Sequence, residues 1–251
     1  MLAWAWRLAA GRVGGKRDAP AYPPIDAQTV LYVVGDIHGR ADLLSQALDA
    51  IERDWRARPA ERRFEIYLGD YVDRGPESAG VIATLRGRMG QGLALALSGN
   101  HEAVLLHFLE GRISDREWLA WGGAATALSY GVNPSREAVL SAALARAVPL
   151  EDVGFLKALR PCFRYGPYFF AHAGVLPNRP LEEQMPDDLM WIRRPFLDHT
   201  GPFGAIVVHG HTPNTEPEFR PNRINLDTGA YATHRLSCLR IDSCGAALIG
   251  N

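Results

Sequence analysis

The stretch FEIYLGDYVDRG, Phe64–Gly75, sets an apolar run against a glycine and then places Asp70, Asp73 and Arg74 before a second glycine. The apolar half reads as a strand and the charged half as the turn that leaves it. Two further segments repeat the pattern. VLYVVG runs into GDIHG, and LALALSG runs into GNHE; the first is followed by RADLLSQALDAIERDW, with apolar residues at helical spacing. Helices are also expected over about 77–89 and about 102–109. Three β-α units in series predict a largely parallel sheet covered by helices, an α/β arrangement. ISDREWLAWGGAATALSY, with Ser114 and Glu117 at capping-box spacing, and SREAVLSAALARAV after Asn133-Pro134 then read as a helical insertion over about 111–160. From Cys162 strands return in CFRYGPYFFAHAG, GAIVVHGHTP and RINLDTGAY, and RLSCLRIDSCGAALIG reads as a terminal hairpin.

A chain of 251 residues with 47% hydrophobic content has material for a well-filled core, and a net charge of −1 supplies no basic field for nucleic acid or anionic lipid. Cys162, Cys238 and Cys244 are odd in number and lack CxxC spacing, so reduced thiols in a cytoplasmic protein are expected. MLAWAWRLAA is too short to span a bilayer, and no stable membrane insertion is expected; its tryptophans are free to touch a surface or a partner. With GRVGGKRDAPAYPP it forms an expected mobile leader over 1–25, ahead of a single domain over 26–251.

Ligand sites of open α/β sheets lie beyond the carboxyl ends of the strands, where each apolar run here delivers its polar cluster. Asp36 and His38, Asp70 and Asp73, Asn100 and His101, His172, and His209 and His211 are therefore expected to converge. Asp, His and Asn without cysteine suggest a metal site, and mixed oxygen and imidazole donors favour manganese, iron or zinc over magnesium or calcium. The candidates outnumber the positions of one tetrahedral site, and a carboxylate such as Asp70 can bridge two ions.

GDIHG, GDYVDRG, GNHE and the later histidines together resemble the calcineurin-like metallophosphoesterases, specifically the compact bacterial and phage form of the phosphoprotein phosphatase group of serine/threonine phosphatases. The resemblance covers about 29–240 and implies a β-sandwich flanked by helices, in place of the single sheet that the β-α rhythm suggests. It also implies two divalent ions, manganese first with iron or zinc as alternatives. Asp36, His38 and the bridging Asp70 would hold one; Asp70, Asn100, His172 and His211 would hold the other. A metal-bound hydroxide would then attack a phosphomonoester in line. Arg74 is the implied phosphate clamp, His101 the general acid and Asp73 its partner, because a carboxylate beside an imidazole favours the imidazolium. Trp191-Ile192-Arg193 matches a W-x-R phosphate clamp, with Arg194 as a neighbouring rival.

Outside this set, His107 reads as a helix-face residue, and His199 and His234 as loop residues. His209 reads as support for the site or a substrate contact, Glu102 as a brace for its loop, and Trp118 and Trp121 as packing. Phosphorylated proteins or small phosphomonoesters are the expected substrates, and a monomer the expected state. The alternative is hydrolysis of symmetrical diadenosine tetraphosphate, against which Asp73 and Glu102 stand, since that group ordinarily reads GD-x-V-A-R-G and GNHD. A catalytically silent metal-binding interaction module is the alternative from another class.

Overall fold

The structure is a computed structural model and describes residues 22–250. Strand β1 (Thr29–Val34) is buried along its whole length. Val30, Tyr32 and Val34 face the helices, whereas Leu31 and Val33 face the other way, onto a second sheet. Strand pleating sorts alternate residues between these two apolar surfaces, which is why TVLYVV needs no polar face.

Strand β2 (Arg62–Tyr67) lies parallel to β1, with Thr29 paired to Arg62 and Val34 to Tyr67, and β3 (Ala94–Ala96) continues in parallel. Helices α1 (Ala41–Ala57) and α2 (Ser78–Gly90) connect these strands. Helix α3 (Asn100–Leu109) follows β3 and starts at Asn100, ahead of the expected Glu102. Strands β9 (Cys238–Asp242) and β10 (Gly245–Ile249) form the expected terminal hairpin, and β9 pairs antiparallel with β1. The first sheet therefore runs β10-β9-β1-β2-β3.

A second sheet corrects the single sheet suggested by the β-α rhythm and matches the sandwich implied by the resemblance. It contains β4 (Cys162–Tyr165), β5 (Tyr168–Ala171), β6 (Ile206–His209), β7 (Glu218–Arg220) and β8 (Arg223–Asn225), in the order β4-β5-β6-β8-β7. Leu31, Val33, Ile66 and Leu68 of the first layer pack against Tyr168, Phe170, Val208 and Ile224 of the second. The rhythm of strands and helices says nothing about what covers the second face of a sheet; these inward residues do. Burying each such side chain stabilises the fold by about 1.5–3 kcal/mol. The outer face of the second sheet, including Phe169 and Val207, packs on Leu189 of α8 (Pro186–Trp191) and on Phe196.

The helical stretch between α3 and β4 forms α4 (Asp115–Ala120), α5 (Gly123–Ser129), α6 (Leu140–Ala147) and α7 (Leu150–Lys157). Ser114 and Glu117 make the expected capping box. Trp118 is fully buried, stacked on Phe108 at 4.1 Å between ring centroids. A short helix, α9 (Ala230–Thr233), precedes β9. Tyr22 and Ile25, within the expected leader, are buried against the inter-sheet core, and the Ile25 N–H donates to the Asp242 carbonyl at 3.0 Å. Residues 1–21 of that leader, with WAWR, lie outside the described residues. No helix among the described residues is long and apolar enough to cross a membrane, and all three cysteines are free thiols.

Candidate active site and metal centre

The parallel register brings the ends of β1 and β2 level, so Asp36 and Asp70 leave adjacent strands side by side. The pairing of Phe170 with Val208 similarly brings His172 and the HGH segment together, and the Gly210 N–H donates to the His172 carbonyl at 2.8 Å. Five non-glycine residues of these turns hold left-handed backbone: His38, Asp70, Asp73, Arg74 and His211, with φ between 47° and 71°. Each such position costs about 1–3 kcal/mol and persists only where its surroundings enforce it. Much of that enforcement comes from Glu102, which is fully buried. Its carboxylate accepts from the N–H groups of Gly99, Asp70, Tyr71 and Val72 at 2.7–3.3 Å and so braces the GDYVD turn from the first turn of α3.

Two groups of buried donors lie together, each with its donor atoms within 4.8 Å of one another: His38, Asp70 and His101, and Asp70, His172 and His211. Asp70 belongs to both and divides its oxygens between them. Oδ2 lies 3.5 Å from His38 Nε2, and Oδ1 lies 3.3 Å from His172 Nε2. Asn100 Oδ1 and His211 Nδ1 stand 3.0 and 3.2 Å from His172 Nε2. His38 Nδ1 donates to the Val72 carbonyl at 2.9 Å and His172 Nδ1 to the Leu68 carbonyl at 3.0 Å, so both rings aim an unprotonated Nε2 into the site. Burial first, and neighbouring cationic groups after it, lowers the pKa of both His38 and His211 to about 3. Burial opposes the charge of Asp70 too, but the surrounding imidazoles, His172 foremost, hold its carboxyl below the usual range.

Asp36 belongs to neither group. Its Oδ2 accepts the His211 N–H at 2.9 Å, and a Cβ on Gly210 would lie 1.9 Å from its Oδ1, so only glycine fits there. That Oδ1 and His211 Nε2 are buried with no hydrogen-bond partner among the described residues. Burial, then the charges of Asp227 and Asp70, push the Asp36 carboxyl well above its ordinary range. Orphaned buried donor atoms and crowded carboxylates beside neutral imidazoles fit divalent cations, which would take up the free lone pairs and the uncompensated negative charge.

His101 Nδ1 lies 2.7 Å from Asp73 Oδ2. Burial disfavours the imidazolium, but the Asp70 and Asp73 carboxylates outweigh burial and raise its pKa. Thr126 of α5 donates to the other Asp73 oxygen at 2.7 Å and accepts the Asp73 N–H at 2.8 Å. Arg74 is exposed, with Nη2 at 3.2 Å from His101 Nε2. Arg193, also exposed, donates to Thr212 Oγ1 at 3.3 Å; burial first, with the Arg193 charge as a smaller contribution, lowers the pKa of His172 and His211. Arg194 instead pairs with Asp198 at 3.8 Å.

The remaining histidines separate clearly. His209 is fully buried behind the site, with Nδ1 3.0 Å from the Gly210 carbonyl and its ring edge-on to Phe196; no surface is left for a substrate. His107 and His234 are exposed. Trp121 packs against the helical core as expected, and its ring also stands edge-on to His101, 5.3 Å between centroids. The sequence reading also missed Asp227, Thr126 and Tyr231. Asp227 lies in INLDTGAY and is buried, with its carboxyl pushed up to about 6 by burial and by Asp70. The quoted segment was its only signal. Thr126 had none, because nothing in a helical insertion marks the residue that reaches back to a distant turn.

The fold and the paired donor groups define a metal-binding hydrolase site at the carboxyl ends of the strands. Residues 29–240 match the calcineurin-like phosphoesterase model, and the chain belongs to that family. Among its relatives, serine/threonine-protein phosphatase 1 of Salmonella typhimurium is 30% identical, over 84% of this chain and 91% of its own. The asymmetrical bis(5'-nucleosyl)-tetraphosphatase PrpE of Anoxybacillus flavithermus is 28% identical, over 83% and 89% respectively. A solved structure described as a putative diadenosine tetraphosphatase superposes with a TM-score of 0.62 at 23% identity, covering 92% of this chain and 97% of that one.

Proposed function

We propose that the protein is a metal-dependent phosphomonoesterase of the phosphoprotein phosphatase group, acting on phosphorylated proteins, phosphoserine and phosphothreonine included. The observation that carries this reading is the single carboxylate, Asp70, divided between two buried donor groups, one of which includes His101 with its partner Asp73, and Arg74 beside them. Asp36, His38 and Asp70 would hold one divalent cation, and Asp70, Asn100, His172 and His211 the other, manganese first with iron or zinc as alternatives. When bound, such a pair supplies Lewis-acid charge and lowers the pKa of a water.

The chain's own residues do the rest. Arg74 offers a planar fork of donors to the phosphate oxygens, and Arg193 adds positive charge from the other side of the donor groups. An alkoxide leaving group needs a proton, and His101 is the group placed to give it. Asp73 fixes the His101 ring and favours its protonated form, while Thr126 and Glu102 fix the segment that carries Asp73.

The similarity to PrpE supports a second reading, hydrolysis of dinucleoside tetraphosphates. Purified protein stripped of metal and restored with manganese separates the two when rates on p-nitrophenyl phosphate, a phosphoserine peptide and diadenosine tetraphosphate are compared. Turnover of the monoesters ahead of the dinucleotide is expected. Preference for the dinucleotide transfers the site to the second reading, and silence on all three moves the binding-module alternative forward.

A further inference from the structure

Trp121 caps the C-terminus of α4, one residue past its end, at the edge of the site. Its ring is edge-on to His101 at 5.3 Å and to Trp191 at 5.5 Å. Gly122 follows at φ +93°, its carbonyl accepts the Arg74 N–H at 3.1 Å, and a Cβ there would lie 2.9 Å from Arg74 Cγ. The backbone itself thus ties the indole to the arginine. Tyr231, 37% exposed, lies under the Arg74 guanidinium at 4.7 Å and meets His38 edge-on at 5.4 Å. Arg74, Ala120, Trp121, Gly122 and Tyr231 line one open cavity of about 530 Å³. Among the described residues Arg74 is the one charged side chain in that lining, and the others are aromatic or small.

We infer that this cavity is the leaving-group pocket, and that it selects phosphate esters whose leaving group carries a flat ring one or two atoms from the ester oxygen, with Trp121 as the specificity-determining residue. The inference rests on the phosphomonoesterase reading. To protonate the ester oxygen, His101 must meet it; of the two rings edge-on to His101, His38 belongs to a donor group, so whatever that oxygen carries departs past the other, Trp121. A ring joined closely to the oxygen falls on the indole. A nucleobase, held off by its sugar, falls further out. Aromatic pairing of this kind strengthens binding about three- to tenfold beyond area burial.

The test measures binding, by calorimetry on the metal-loaded full chain, of benzylphosphonate and butylphosphonate, which cannot be hydrolysed. The benzyl compound is expected to bind about three- to tenfold more tightly. Trp121→Ala should bring the ratio close to one, and Trp121→Phe should keep part of it. Tyr231→Leu, at an exposed position, is expected to reduce it as well and serves if Trp121→Ala does not fold. Ratios of kcat/KM for benzyl and butyl phosphate should follow the same order. Equal affinities in the unaltered protein, or a ratio left undiminished by Tyr231→Leu and by Trp121→Ala (by Tyr231→Leu and Trp121→Phe where Trp121→Ala does not fold), overturns the inference and leaves the phosphomonoesterase reading intact. Tighter binding of adenosine monophosphate than of benzylphosphonate overturns it by placing the ring further out. Failure to bind either phosphonate, together with no turnover of any monoester, removes the phosphomonoesterase reading and the inference with it.

Discussion

His101 touches most of what the site does. It shares a 2.7 Å contact with Asp73, lies 3.2 Å from Arg74 and faces Trp121. His101→Asn and Asp73→Asn are expected to lower kcat on alkyl phosphates by about 10²-fold or more, with a smaller loss on p-nitrophenyl phosphate, whose leaving group scarcely needs a proton. Equal losses on both substrates would remove His101 from the acid role. In the proposed acid role His101 must be protonated, and Asp70 and Asp73 raise its pKa against the opposing effect of burial. Turnover of alkyl phosphates should therefore persist above the ordinary imidazole range and fall as pH rises through the raised value. Removing the Asp73 charge should move that descent to lower pH in a pH–rate profile. Thr126→Val keeps the shape of the side chain but removes its hydroxyl from Asp73; it should lower kcat on alkyl phosphates more than KM changes, with Thr126→Ser restoring most of the rate.

Helices and strands hold these residues in place through ties well away from the site. Asp54 of α1 accepts from Tyr32 Oη of β1 at 2.6 Å and pairs with Arg240 of β9, so one carboxylate joins the helical layer to two strands. Burial disfavours its charge, but these partners prevail and lower its pKa. A carboxylate with a lowered folded pKa stabilises the fold above its unfolded pKa, and that contribution is lost as pH falls through the folded value. Asp54→Asn is expected to cost about 1.5–3 kcal/mol at neutral pH and much less in acid, as measured by urea denaturation at both pH values. Most of the strands and helices could be read from apolar period alone. ISDREWLAWGGAATALSY could not be resolved the same way, because its break at Gly122 depends on a backbone contact with Arg74, far away in sequence.

For the molecule as a whole, the two sheets and the donor groups between their ends should behave as one thermodynamic unit. A ligand that binds only the folded state stabilises it by about 2.7 kcal/mol at a hundred times its Kd. Manganese is expected to raise Tm and a chelator to lower it, and Asp70→Asn, which withdraws a donor from both groups, should abolish most of the manganese-dependent rise in a thermal melt. A full rise in that variant would count against Asp70 as the shared ligand. The three strand-end motifs made most of the donor set legible in the sequence alone: Asp, His and Asn at successive strand ends state their chemistry through residue type and position. What covers each sheet face, the packing of His209 behind the site, and the approach of Thr126, Trp121, Tyr231 and Asp227 were decided only by tertiary structure. Periodicity and motif spacing are local properties of the chain, whereas these contacts join residues that lie far apart in sequence and meet only once the sheets have packed.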